Sequence, residues 1–417
     1  MSTPFKDRLR YFYKWLYPGI GIKRWMLLTA FGVVLVAIAL SYLRYEEYWV
    51  IQILDVILII SGIIILILGV KHIIRSFLAV FVPSSRDDDE LVNILYHRRQ
   101  MGRGPKIVAL GGGTGLSVLL TGLKEYTSNI TAIVTVADDG GSSGRLRQQF
   151  DILPPGDIRN CLVALADAPV LMRDLFQFRF EEGSELSGHS FGNLFITAMT
   201  QLTGDFEKAI KETSRVLALR GQVVPSTLDN VLLAAQHKDG SITEGEDKIP
   251  KAHKPIAKVF LKPAESSATP EAIKAIQEAQ IIVLGPGSLY TSILPNVLIK
   301  EITSSIVASS AIKVYVCNIM TQPGETDGYK ASDHIRTIVN HSHPRIFDYC
   351  VVNIGEIPDE ILKRYVKENS SPVASDTENI KSMGYRVIED DIVLTDGVVR
   401  HDPEKLTKIV LGFLDEI

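Results

Sequence analysis

Residues Lys106 to Gly144 read KIVALGGGTGLSVLLTGLKEYTSNITAIVTVADDGGSSG, and the fold follows from them. The stretch opens on a short apolar strand, Ile107 to Leu110. Gly111, Gly112, Gly113 and Gly115 follow, with Thr114 among them. A helix pattern runs from about Leu116 to Lys124. A second strand, Thr131 to Ala137, ends on Asp138 and Asp139. Strand, glycine-rich turn, helix, and a strand with acids at its carboxyl end is the layout of a nucleotide-binding βαβ unit. Glycine lets backbone N–H groups approach a phosphate with no Cβ in the way. The helix start adds unpaired donors and a positive dipole end. A carboxylate at the next strand end can accept hydrogen bonds from ribose hydroxyls. Neither common phosphate loop is written here. The G-x-G-x-x-G pattern fails at Leu116, and Gly115 is followed by Leu-Ser instead of Lys-Ser/Thr. The plain alternative is a structural glycine turn in an α/β protein.

Downstream, strands and helices alternate to the end, as in an α/β domain. Buried-type strands are expected at Gln280–Leu284, Ile312–Asn318 and Tyr349–Asn353, with strands around Pro225 within Gln222–Asp239. Helices are expected from Ile158 to Ala166 behind an Asp157 cap, from Leu194 to Leu202, and from an Asp205 cap to about Leu219. Others start at Thr269-Pro270 and Asp402-Pro403, and one spans Ser332 to Asn340. Ile388 to Val399 reads as a hairpin turned at Thr395-Asp-Gly397. The fold class is therefore α/β, a Rossmann-like, mostly parallel sheet flanked by helices, occupying 105–417.

Upstream, the chain changes character. Residues 1–24 form a basic tail, with Lys6, Arg8, Arg10, Lys14, Lys23 and Arg24 against Asp7, interleaved with aromatic residues. Trp25–Leu43 is an uncharged apolar run. Trp49–Val70 is a second, with only Asp55 charged. Each is long enough to span a bilayer core, which takes about 20 residues. A signal peptide would have a shorter apolar core. The reading is two transmembrane helices in a hairpin over 25–74, followed by a linker, 75–104. The linker holds an acidic knot, Asp87–Glu90, and a basic one, His97–Arg99. Basic outer flanks put both termini, and the α/β domain, on the cytoplasmic side of the cell membrane. Asp55 is expected near a span end or in the helix–helix contact.

The chain has 417 residues, a formal net charge of −4 and three scattered cysteines, Cys161, Cys317 and Cys350. No global basic field points to nucleic acid. The cysteine spacing suits a reducing compartment and excludes a C-x-x-C zinc site. Mean hydropathy is +0.16, with the apolar excess near the N-terminus.

Three loops after strands carry the candidate chemistry: Gly111–Ser117, Asp138–Arg145 and Gly285–Ser292. The first and third, through Gly285, Gly287 and Ser288, could grip a diphosphate from two sides. Asp138 and Asp139 suit ribose or Mg²⁺. Arg145 or Arg147 suits phosphate. Ser142, Ser143, Ser190 and Ser288 look like phosphate donors, since none sits in a G-x-S-x-G elbow. His189 is a candidate general base or phosphate donor, or a hydrogen-bonded turn histidine; Asn193 follows it at a helix start. No general base is visibly paired with a nucleophile. His341 and His343 read as a surface turn, with no third metal ligand nearby.

GGGTGLS, ADDGGSSGRLR, LPPGDIRNCL, SGHSFGNLFI, GPGSLYTSILPN and TQPGETDGY, in this order, resemble the YvcK/GlmR family of gluconeogenesis factors within the CofD-like superfamily. The resemblance covers about 105–417. It implies binding of UDP-sugars, chiefly UDP-N-acetylglucosamine, and a role between carbon metabolism, peptidoglycan precursor supply and cell shape. It also implies contact with other proteins, glucosamine-6-phosphate synthase included, and a homo-oligomer is expected. It assigns UDP-sugar support to Tyr365 and to Arg400, in the Val-Val-Arg-His-Asp segment. The alternative it carries is a CofD-type 2-phospho-L-lactate transferase acting on a nucleoside-diphosphate-linked substrate. That branch differs after the Asp-Asp pair, where this chain has Gly-Gly-Ser-Ser-Gly-Arg and Pro155-Gly-Asp-Ile-Arg159, so the resemblance leaves Asp157 as its further metal candidate. An NAD(P)-dependent oxidoreductase is a third reading, weakened by Leu116.

Overall fold

The computed structural model describes residues 22–43, 48–81, 101–181, 183 and 185–416. The tail before residue 22, the turn at 44–47 and the knots Asp87–Glu90 and His97–Arg99 lie outside the described residues. The chain divides into two units, Met1–Arg98 and Arg99–Ile417.

The first unit holds α1 (Ile22–Leu43) and α2 (Trp49–Phe81). Both are apolar on every side, and Leu27, Phe31, Ile57 and Ile67 are each more than half exposed. Both are long and apolar enough to cross a membrane. They meet through small residues. A Cβ on Gly32 would lie 2.8 Å from the Gly62 carbonyl oxygen, and one on Gly69 would lie 2.3 Å from Thr29 Oγ1. Such glycines let two backbones approach closely where lipid removes the hydrophobic drive between helices. Asp55 is 6% exposed, so it sits within the helix contact. α2 runs to Phe81, which moves the start of the linker beyond the expected residue 75.

The second unit is built on β1 (Ile107–Gly111), β2 (Ile130–Val134), β3 (Gln222–Pro225), β7 (Ile281–Leu284), β8 (Ile312–Val316), β9 (Tyr349–Asn353) and β10 (Arg386–Asp390). These form one sheet in the order β10-β9-β8-β7-β1-β2-β3. Every pairing is parallel, with Ile107 opposite Ile130 on one side and Ile281 on the other. β1, β2 and β7 are buried throughout, as central strands covered on both faces must be, and they read as continuous apolar runs. A separate antiparallel sheet joins β5 (Ile242–Glu244), β4 (Leu232–His237) and β6 (Ile256–Lys262). β11 (Val393–Thr395) and β12 (Val399–His401) pair as a small hairpin. The expected Ile388–Val399 hairpin is thus displaced, because its first half is β10 and belongs to the main sheet. Asn129 Nδ2 donates to the carbonyls of Gly102 and Gly104. The Gly-Arg-Gly-Pro end of the expected linker is therefore fastened to the α/β unit.

Three helices matter for the site: α3 (Gly113–Leu123), α4 (Gly141–Phe150) and α5 (Gly156–Leu165). α3 starts at Gly113, not Leu116. Glycine and threonine are weak helix formers, so only the leucine-rich end announces itself in the sequence. α6 (Val170–Gln177), unpredicted, packs beside α7 (Phe191–Thr203).

Candidate functional site

β1 pairs with β2 on one side and β7 on the other, and the chain order reverses between β1 and β7. This is the topological switch point, where open α/β sheets leave a crevice at the carboxyl ends of the strands. The glycine loops after β1 and β7 meet there. A Cβ on Gly115 would fall 2.7 Å from the Pro286 carbonyl oxygen. A Cβ on Gly287 would fall 3.4 Å from the carbonyl oxygen of Gly112. Gly113 has φ +64°, and a Cβ there would meet only Ser292 Oγ, at 3.8 Å. Asn296, fully buried, donates to the carbonyl of Gly111 at 3.1 Å and braces the loop from below.

The loops line a cleft of ≈ 320 Å³ with Thr114, Asn318 and Arg400. Arg400 comes from β12, whose position is fixed twice. His401 Nε2 lies 3.1 Å from the Cys317 carbonyl oxygen. Burial pushes this imidazole down to about 4, so it stays neutral and donates one N–H. Val399 N–H donates to the Tyr365 hydroxyl at 2.8 Å. The fold therefore brings Arg400 to the glycine loops, while Tyr365 stands behind β12, on Val399.

The acids are arranged differently from the simple ribose picture. Asp138 Oδ1 accepts from Gly140 N–H at 2.9 Å, and burial raises its pKa. Asp139 Oδ1 accepts from Asp247 N–H at 3.0 Å, latching a loop that turns through Gly245 at φ +108°. Asp157 does not cap its helix. It sits in the first turn of α5 and accepts from Gly113 N–H; a Cβ on Gly112 would lie 2.4 Å from its Oδ2. Burial, then the charge of Asp138, pushes Asp157 up to about 7. Two acids absent from the sequence reading join them. Glu246, hydrogen-bonded by Thr291, is pushed up to about 8 by burial and by Asp138 and Asp157. Glu325 accepts from Ser288 Oγ at 2.5 Å and is pushed up to about 7 by burial. The Ser288 hydroxyl thus serves Glu325, where a phosphate donor was expected.

Ser142, His189 and Asn193 form a buried cluster. Ser142 Oγ lies 2.9 Å from His189 Nδ1 and accepts from Asn193 Nδ2 at 3.0 Å. Burial and Arg145 lower the His189 pKa. The fold thus creates a hydroxyl–imidazole pair that the sequence, with its members 47 positions apart, did not show. Neither member lines the cleft, so the pair braces α4 against α7. Ser143 touches Asp138. Arg145 donates to the Ser187 carbonyl at 2.7 Å, and Arg147 to that of Val231 at 2.6 Å. Both guanidinium groups hold loops, and neither residue lines the cleft. His341 Nε2 accepts from Val259 N–H at 3.0 Å. His343 Nδ1 accepts from Arg345 N–H.

Among the described residues, no three acids, histidines or cysteines converge as a metal site. Asp138, Asp139 and Asp157 are each committed to a backbone N–H.

Residues 107–393 match the family model of 2-phospho-L-lactate transferase CofD. The gluconeogenesis factor of Bacillus subtilis is 51% identical over 317 residues, 76% of this chain and 100% of that protein. A Nostoc sp. relative bearing the provisional form of that name is 47% identical over 425 residues, covering 97% of this chain and 93% of its own. The crystal structure of a Bacillus halodurans member of the UPF0052 family superposes with TM-score 0.72 at 50% identity, over 74% of this chain and 99% of that one.

Proposed function

The chain belongs to the CofD-like family of gluconeogenesis factors, and we propose that its α/β unit binds a UDP-sugar, UDP-N-acetylglucosamine first. The observation that carries this is the meeting of two glycine loops and Arg400 over one cleft at the switch point. Backbone N–H groups at the start of α3 and the Arg400 guanidinium supply donors for a diphosphate. Tyr365 offers an aromatic face for uracil while its hydroxyl stays on Val399.

On this reading the protein is a regulator that couples carbon metabolism to cell-wall precursor supply and cell shape, acting through partners such as glucosamine-6-phosphate synthase. Homo-oligomerisation is part of the proposal. α1 and α2 anchor it in the cell membrane, with the α/β unit in the cytoplasm. After carbonate extraction the full-length protein should remain in the membrane pellet; recovery wholly in the soluble fraction contradicts the anchor.

The family match favours one other reading, a transferase acting on a nucleoside-diphosphate-linked substrate. Two features weigh against turnover. The loop acids are held by backbone donors, and the Ser142–His189 pair is buried away from the cleft. Binding and turnover separate in one experiment, UDP-N-acetylglucosamine titrations with and without Mg²⁺, on wild type and Asp138→Asn, with products followed by mass spectrometry. Asp138 orders the Gly140–Gly144 turn, so the variant should bind about 1–3 kcal/mol more weakly. EDTA should have little effect, and no UMP or UDP should appear. Metal-dependent release of either nucleotide, lost in Asp138→Asn, would establish the transferase.

A further inference from the structure

A second groove, of ≈ 590 Å³, runs between α3, α5 and α6. It shares Thr114, Val118 and Arg400 with the cleft at the switch point. Lys124, Arg159, Arg173, Arg179 and Arg400 line it, and Asp174 is its one acid. None of these five cations forms an ion pair among the described residues. Lys124 Nζ donates to the Ala166 carbonyl at 3.0 Å, and Arg179 to that of Gly188 at 3.0 Å.

Arg159 is the most telling of them, because it is only 7% exposed. It donates to Ser190 Oγ, and to Asn160 Oδ1 at 2.7 Å, but its Nε is buried without a partner. Arg173 Nε is buried without a partner as well. A Cβ on Gly192 would lie 2.8 Å from Arg159 Cδ, so the helix beside it is shaped to admit this side chain. Burial first, and Arg179 second, lower the Arg159 guanidinium to about 10 against the opposing pull of Asp157 and Asp138, and it remains charged at neutral pH. Burying a cation beside other cations is costly unless an anion compensates it. The groove is concave and of small-ligand size. Arginine forks match the oxygens of a phosphate.

We infer that this groove is a second anion site for a small phosphorylated compound, coupled to the nucleotide-sugar cleft through the shared Arg400. The coupling rests on the UDP-sugar reading above; the groove's own affinity for phosphate does not. Two anions that draw on one guanidinium weaken each other, and the linkage is reciprocal.

The test uses full-length protein in detergent and inorganic pyrophosphate as the probe, followed by calorimetry. Pyrophosphate should bind the wild type with a submillimolar Kd. Arg173→Glu should weaken that binding by about tenfold or more, while UDP-N-acetylglucosamine affinity changes by less than about threefold. Arg173→Gln should act in the same direction, less strongly. Added pyrophosphate should raise the Kd for UDP-N-acetylglucosamine several-fold and then reach a plateau. A rise without plateau means pyrophosphate competes within the cleft itself and overturns the second site. So does an absence of binding, or binding indifferent to Arg173→Glu. If UDP-N-acetylglucosamine fails to bind at all, the coupling falls with the UDP-sugar reading, and the pyrophosphate titration of wild type against Arg173→Glu still decides the groove.

Discussion

Gly113→Val is expected to lower UDP-N-acetylglucosamine affinity more than tenfold, a loss above about 1.4 kcal/mol, in a protein that stays folded. Two effects combine. A non-glycine residue at φ +64° costs about 1–2 kcal/mol in backbone strain. The branched side chain then fills the open space above the start of α3, where a phosphate would meet backbone N–H. In the free protein that space holds only Ser292 Oγ, at 3.8 Å, so the fold has room for the change. Gly115→Ala makes the contrasting control. Its Cβ would press on the Pro286 carbonyl at 2.7 Å. That variant should lose stability first, seen as a fall in Tm without ligand. Calorimetry of ligand binding beside thermal unfolding separates the two. Unchanged affinity in a folded Gly113→Val protein would reduce the loop to a structural turn.

Stability of the ligand-free α/β unit should fall as pH rises from about 6.5 to 8.5. The sign follows from proton counting. Asp157 and Glu325, at about 7, and Glu246, at about 8, hold protons in the folded state that the unfolded chain gives up near pH 4. Where the folded state binds more protons, stability declines with pH until the folded pKa is passed. Below about 6.5 the buried histidines oppose this. His334 and His401, both pushed down to about 4 by burial, stay neutral where the unfolded chain would take up protons, so they add stability as pH rises. Above the ordinary histidine range the carboxyls dominate, and the buried thiols of Cys161, Cys317 and Cys350, pushed up by burial, act in the same direction near the top of the window. Together they amount to about 2–4 kcal/mol over the window, roughly 5 °C in Tm. Glu246→Gln should flatten the slope between pH 7 and 8.5. A Tm that is level or rising over that range in the wild type would mean these carboxyls are ionised at no cost.

Much of this was legible beforehand, and the gaps have physical causes. The parallel sheet is announced by runs such as Ile281–Leu284, since a strand covered on both faces needs no alternation. β6 escaped notice because its apolar residues are interleaved with Lys258 and Lys262 on an exposed face. The glycine loops could be named from local motifs, and Tyr365 and Arg400 only through the family resemblance. Glu246, Glu325 and Arg159 could not, because nothing local marks an acid or a guanidinium that only tertiary packing will bury. Glu325 lies within the quoted TQPGETDGY segment, yet its partner Ser288 is 37 residues away. Asp157 looked like a helix cap because an acid before an apolar run usually is one. Here the helix begins two residues earlier than expected, at Gly156, and the carboxyl turns toward Gly112 and Gly113.

The central claim is that the cleft between the β1 and β7 loops holds the diphosphate of a UDP-sugar. Calorimetric titration of the protein with UDP-N-acetylglucosamine, beside uridine, GDP and NAD(P)H, tests it most directly. Saturable one-site binding of UDP-N-acetylglucosamine is predicted, weakened by at least about tenfold in Arg400→Gln. Uridine, which lacks phosphates, and NAD(P)H should bind far more weakly. No measurable UDP-N-acetylglucosamine binding, or binding indifferent to Arg400→Gln and matched by uridine, would contradict the account.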